Sequence, residues 1–93
     1  MNKKLKIARQ ECFEHYTSAI RCLNTFDAIS QNEAGSIYFK RIYDHCDHAV
    51  RSSFKQTLNT RNIDIIYGCI ETIDLFSTIW SHTYNIYKET KIQ

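Results

Sequence analysis

"NIDIIYGCIETIDLFSTIWSHTYNIYKE", residues 62 to 89, places Ile63, Ile66, Ile70, Ile73, Ser77, Trp80, Tyr84 and Tyr87 at alternating steps of three and four. At 3.6 residues per turn this spacing returns to one stripe of an α-helix, and over more than three heptads the stripe is a coiled-coil-like seam. A strand would scatter the same residues over both faces, because its side chains alternate at every position. The segment is therefore predicted to be a helix of about 28 residues, from near Asn62 to about Glu89. A second row, Leu75, Ile79, His82 and Ile86, follows steps of four, three and four, about 120° or more around the same helix. With the first seam packed on the rest of the chain, the second lacks an obvious partner inside a monomer. It is predicted to be a partner or oligomer interface. Gly68 lies within the helix at a cost of about 1 kcal/mol relative to Ala, and permits close helix approach.

Working outward, the tripeptide "LNT" occurs at Leu23 to Thr25 and again at Leu58 to Thr60. Asn tolerates the left-handed conformation that closes a helix, so each is read as a stop. Little else aligns at that offset, so the recurrence is turn chemistry and no helical repeat is inferred. In "ISQNEA", Ser30 and Glu33 form a capping box that starts a second helix near Gln31 and lets it run, past Gly35, to about Leu58. The first helix spans roughly Lys3 to Leu23. Leu5, Cys12 and Ala19 recur every seven residues, Tyr16 and Leu23 fill between them, and Phe26 keeps the phase just beyond. On the second helix Phe39, Ile42, Tyr43, Cys46, Ala49, Val50, Ser53 and Thr57 form the core side. Arg41, Asp44, His48, Arg51 and Lys55 form the wet side, where Asp44 with His48 and Asp47 with Arg51 can pair at i,i+4.

Composition agrees with helices. Of 93 residues 43% are hydrophobic and 13% aromatic, which excludes a disordered chain, and with two glycines and no proline the turns of a many-stranded protein are missing. The length suits one domain, residues 1–93. Net charge is +2, distributed as +4 over residues 1–9, −3 over 10–39, +3 over 40–61 and −2 over 62–93. The basic start (Lys3, Lys4, Lys6, Arg9) is read as a solvated first turn. Arg9, Gln10, Glu11 and Glu14 interrupt any signal-like apolar run, and Glu71 and Asp74 break the most apolar region, so a cytoplasmic protein with no membrane span is expected. The cysteines (Cys12, Cys22, Cys46, Cys69) lack CxxC spacing and are expected to be reduced and buried. Ile, Asn, Lys and Tyr, all with AT-rich codons, make up 32 of 93 residues, a bias common in phages and mobile elements.

The stretch "RIYDHCDHAVR", residues 41 to 51, concentrates ligand-type residues. A metal site there would use His45 or Asp44 with His48 and a further ligand from Cys12, His15 or His82. With loops centred near residues 27 and 60, His15 falls level with residue 39 and His82 with 38, roughly 9–15 Å short of the pair. No metal and no cofactor is expected. Arg41, His48, Arg51 and Lys55 form a cationic ridge suited to an anionic ligand, a nucleotide or RNA phosphate, although no glycine-rich loop or aromatic platform accompanies it. Arg41, six intervening residues and His48 resemble the Arg-x(4–6)-His active motif of HEPN-type ribonucleases. That resemblance covers eight residues and implies an all-helical nuclease in which Arg41 holds RNA phosphate and His48 moves protons.

Together these features predict an all-α fold. A long antiparallel hairpin (about 31–58 and 62–89) is packed by a shorter N-terminal helix. The expected function is that of a non-enzymatic binding protein that regulates, inhibits or neutralises a macromolecular partner as a homo-oligomer. Anionic-ligand binding or HEPN-like cleavage through the ridge is the alternative.

Overall fold

The computed structural model describes residues 3–24 and 37–92. Three helices account for them: α1 (Lys3–Leu23), α2 (Ile37–Thr57) and α3 (Ile63–Ile92). All three pack on one another, α2 and α3 most closely, as the all-α three-helix expectation requires. The expected residues Phe26, Ser30, Gln31, Glu33 and Gly35 lie outside the described residues.

Helix ends follow from local chemistry. α1 stops at Leu23, where the Asn24 amide donates to Ile20 O at 2.9 Å. α2 stops at Thr57, whose hydroxyl donates to Phe54 O at 2.6 Å. α3 opens on Asn62 as N-cap, its Oδ1 accepting from the Asp64 amide at 3.0 Å. Asp64 also places a negative charge at the positive end of the helix dipole. The two-helix corner is then tied to α1. The Arg9 guanidinium donates to Thr57 O at 2.9 Å and to Thr60 O at 2.6 Å, satisfying carbonyls that the helix end leaves open. Arg9 is thus a structural clamp, unlike the solvated position expected for it.

Facing side chains set the register. Cys12 meets Thr57 and Tyr16 stacks on Phe54 at 3.9 Å, so α1 and α2 are antiparallel. Tyr43 meets Trp80 edge-on at 5.2 Å and Phe39 meets Tyr87 at 5.0 Å, so α2 and α3 are antiparallel too. These pairs place His15 level with about residue 54, and correct the expected level near 39. The expected centre near residue 27 is too early for a chain whose described part of α2 opens at Ile37. In consequence Leu23 ends α1 close to the level of Trp80, and α2 and α3 continue past it.

The core is one narrow column along the axis of a rod measuring 56 × 17 × 17 Å. Ala8, Cys12, Ala19 and Leu23 enter it from α1, Cys46 and Val50 from α2, and Ile66, Ile70, Ile73, Trp80 and Tyr87 from α3. Small residues on α1 let it approach the larger side chains of α3, the alternation that close packing needs. Every position of the α3 seam is buried or half-buried, as its spacing requires. Ile42 departs from expectation. It is 37% exposed, at the rim of the α2 core side.

Candidate interaction surface

The outer face of α3 leaves a row of apolar side chains uncovered. Leu75 is 56% exposed, Ile79 38% and Ile86 44%, and His82 is exposed between them. α1 does not wrap far enough to reach them, because it lies against the Asp74 and Ser77 side of α3, where His15 Nδ1 contacts Asp74 Oδ1 at 2.7 Å and the Cys22 thiol donates to Ser77 O at 3.7 Å.

The row is longer than the four residues read from the sequence. Continuing the three-four spacing toward the N-terminus adds Thr72, Gly68 and Ile65, of which Gly68 and Ile65 are exposed and Thr72 half-buried. The resulting stripe, Ile65, Gly68, Thr72, Leu75, Ile79, His82 and Ile86, carries no carboxylate, Lys or Arg over three heptads. The same spacing, followed backward, signals it in the sequence. On the neighbouring helix, the α2–α3 register brings Ile42 level with about His82 and Tyr38 level with about Ile86, and both are exposed.

Gly68 has no packing reason inside the monomer, since a Cβ built there meets nothing within 4 Å. Gly68→Ala is therefore expected to stabilise the isolated fold by about 0.5–1 kcal/mol, the difference in helix propensity. Urea denaturation at low protein concentration checks this, and a loss of stability would contradict the open environment.

The α2 ridge is the second candidate. Arg41, His48, Arg51 and Lys55 are all exposed on one side of the helix, as their spacing predicts. Their partners differ from expectation. Asp44 pairs with Lys40, one turn away, at 3.6 Å, and not with His48. His48 Nε2 lies 3.3 Å from Ser52 Oγ instead. Asp47 does pair with Arg51, at 2.9 Å, and that bond pushes the guanidinium pKa up. Within the ridge, the charge of Arg51 is therefore balanced locally. Arg41 and His48 sit two turns apart, about 10 Å along the axis, on an exposed helix side.

Sequence reading missed what α1 brings to this ridge. Tyr16 and Phe54 stack with an interplanar angle of 8°, and Tyr16, Phe54 and Leu58 line a shallow groove with Arg51 and Lys55. Phe54 neighbours Arg51 one turn along α2, whereas Tyr16 joins the ridge only through the α1–α2 register.

The ligand-type residues diverge. Among the described residues no group of three or more His, Cys, Asp or Glu side chains stands close enough to hold a metal ion. Cys12 is buried against Thr57, His15 faces Asp74, and His82 lies on the outer face of α3. All four thiols are unbridged. Cys12, Cys46 and Cys69 are buried, and burial pushes each of their pKa values up, so they persist as unreactive thiols; Cys22 is half-buried. Among the described residues no helix is long and apolar enough to cross a membrane. Compared with known proteins, the chain matches no family model, no curated sequence and no solved structure.

Proposed function

We propose that the protein is a non-enzymatic helical binding module that regulates, inhibits or neutralises a macromolecular partner through the outer face of α3. The observation that carries this reading is the charge-free stripe from Ile65 to Ile86, left in solvent by a rod whose core is a single column. Exposed apolar surface of that length and continuity is what helix-on-helix recognition buries, with anchors at i, i+3, i+4 and i+7. The exposed ridge of α2 supports chemistry less well, because Arg41 and His48 stand two turns apart on a single exposed helix side.

A second reading is favoured by the groove beside Tyr16 and Phe54. There a stacked aromatic pair and the cations of Arg51 and Lys55 could receive an anionic ligand such as a nucleotide or RNA phosphate. One comparison separates the two. Ile79→Glu is expected to lower the affinity of the complexes the protein forms, with itself or another chain, by at least about 30-fold, from burial of an unpaired carboxylate. The double variant Arg51→Ala with Lys55→Ala should change it less than about threefold, since Arg51 is already neutralised by Asp47. Sedimentation of each complex reads the result. Full association of Ile79→Glu with loss in the ridge variant would replace the first reading by the second.

A further inference from the structure

We propose that the outer face of α3 is covered by α3 of a second copy of this chain, packed antiparallel so that Gly68 of each copy faces the partner's Ile79. This rests on reading the stripe as a binding surface and names its occupant.

Self-complementarity of the stripe is the argument. In a two-stranded antiparallel seam, the first core position of each heptad faces the second core position of the opposite helix. The stripe then pairs Ile65 with the partner's His82, Gly68 with the partner's Ile79, and Thr72 with the partner's Leu75. A two-fold axis repeats the three pairs in reverse. Each small side chain meets a large one, the alternation by which facing layers interdigitate. The glycine that serves no contact within one copy becomes the hollow that receives Ile79. A parallel pair would instead set Gly68 against Gly68, leaving a gap, and His82 against His82.

Charge agrees with the antiparallel arrangement. Along the edge of the stripe away from α2 stand Asp64, Glu71, Thr78 and Asn85. Antiparallel pairing sets Glu71 opposite the partner's Thr78 and Asp64 opposite the partner's Asn85, so like charges do not meet. The six paired layers from Ile65 to His82 span about 26 Å of helix.

The expected species in sedimentation equilibrium is a dimer of about twice 11.0 kDa. Its orientation is read by mixing Gly68→Cys and Ile79→Cys proteins carrying tags of different size, then oxidising briefly. Antiparallel pairing gives the mixed disulfide. Like residues are then about 16 Å apart along the axis, beyond the reach of a disulfide. A predominance of like-with-like disulfides overturns the proposal. Gly68→Leu supplies a variant that leaves the fold intact, because the site opens on empty space. It should weaken dimerisation at least tenfold with the helical CD signal unchanged, and a dimer of wild-type affinity overturns the packing. A wild-type protein that remains monomeric at several hundred micromolar also overturns self-pairing. If that monomer forms a complex with another chain that Ile79→Glu abolishes, the binding reading stands and only its occupant changes.

Discussion

Trp80→Ala is expected to destabilise the fold by about 3–5 kcal/mol, the range for removing a large buried aromatic. Trp80 is fully buried at the level where α1 ends, so α1, α2 and α3 close the core around it. Tyr43 approaches its ring edge-on at 5.2 Å and Tyr84 lies at 5.9 Å. Such pairs add to burial because the positive ring edge meets the negative face of its neighbour. In a column one residue wide, few side chains stand behind these rings to relax into the space, which places the loss toward the upper end. Stability of a domain this size is only about 5–15 kcal/mol, so the variant should melt about 15–30 °C lower. Trp80→Phe keeps the ring contact with Tyr43 and should lose less than about 2 kcal/mol. Thermal denaturation followed by far-UV CD checks both, since Trp80 is the sole tryptophan and its fluorescence leaves with it. A Trp80→Ala midpoint within a few degrees of wild type would show that the column repacks.

How far the fold could be read from sequence depended on whether a feature was set within one helix or between two. The α3 seam, the ends of α1 at Lys3 and Leu23, and the stop at Thr57 follow from spacing and capping within a few residues, and they read directly. The level of His15 did not. It depends on where α2 begins relative to α1, which residue types near the first connection leave open. Burial of Ala8 and the clamp made by Arg9 are likewise decided by the approach of another helix. Ile42 sits on the apolar side of α2 by angle, yet its partial exposure depends on how far α3 leans over it.

The same division applies to the candidate site. Exposure of Leu75, Ile79, His82 and Ile86 was legible because two seams about 120° apart on one helix cannot both face a narrow core. The continuation to Ile65 is signalled by the same spacing followed backward, and the structure adds that Gly68 opens on empty space. The ridge was legible as a face but not as a charge distribution. Competition of Lys40 for Asp44, and of Ser52 for His48, is settled by side-chain reach that helical spacing alone does not rank.

Arg9 carries the second large effect. Its guanidinium donates to two backbone oxygens, Thr57 O and Thr60 O, that lie three residues apart at the corner between α2 and α3. A planar fork with fixed donor directions can reach both, and the contacts are partly buried, so water replaces them poorly. Charge-assisted hydrogen bonds of this kind contribute about 1.5–3 kcal/mol each, and removal also leaves carbonyls at a helix end without a donor. Partial exposure reduces the total, and Arg9→Ala is expected to cost about 2–3 kcal/mol. Arg9→Lys should restore less than half, because an ammonium presents a point charge that cannot span both oxygens in the same geometry. Lys4 and Lys6 belong to the same basic segment but are exposed, and their replacement by Ala should change stability by no more than about 0.5 kcal/mol. Urea denaturation of the four variants compares them directly. Equal effects of Arg9→Ala and Lys4→Ala would mean that the basic segment acts only as a solvated charge run. Loss confined to Arg9, with faster amide exchange at residues 58–62, would identify the clamp as what holds α1 to the α2–α3 corner.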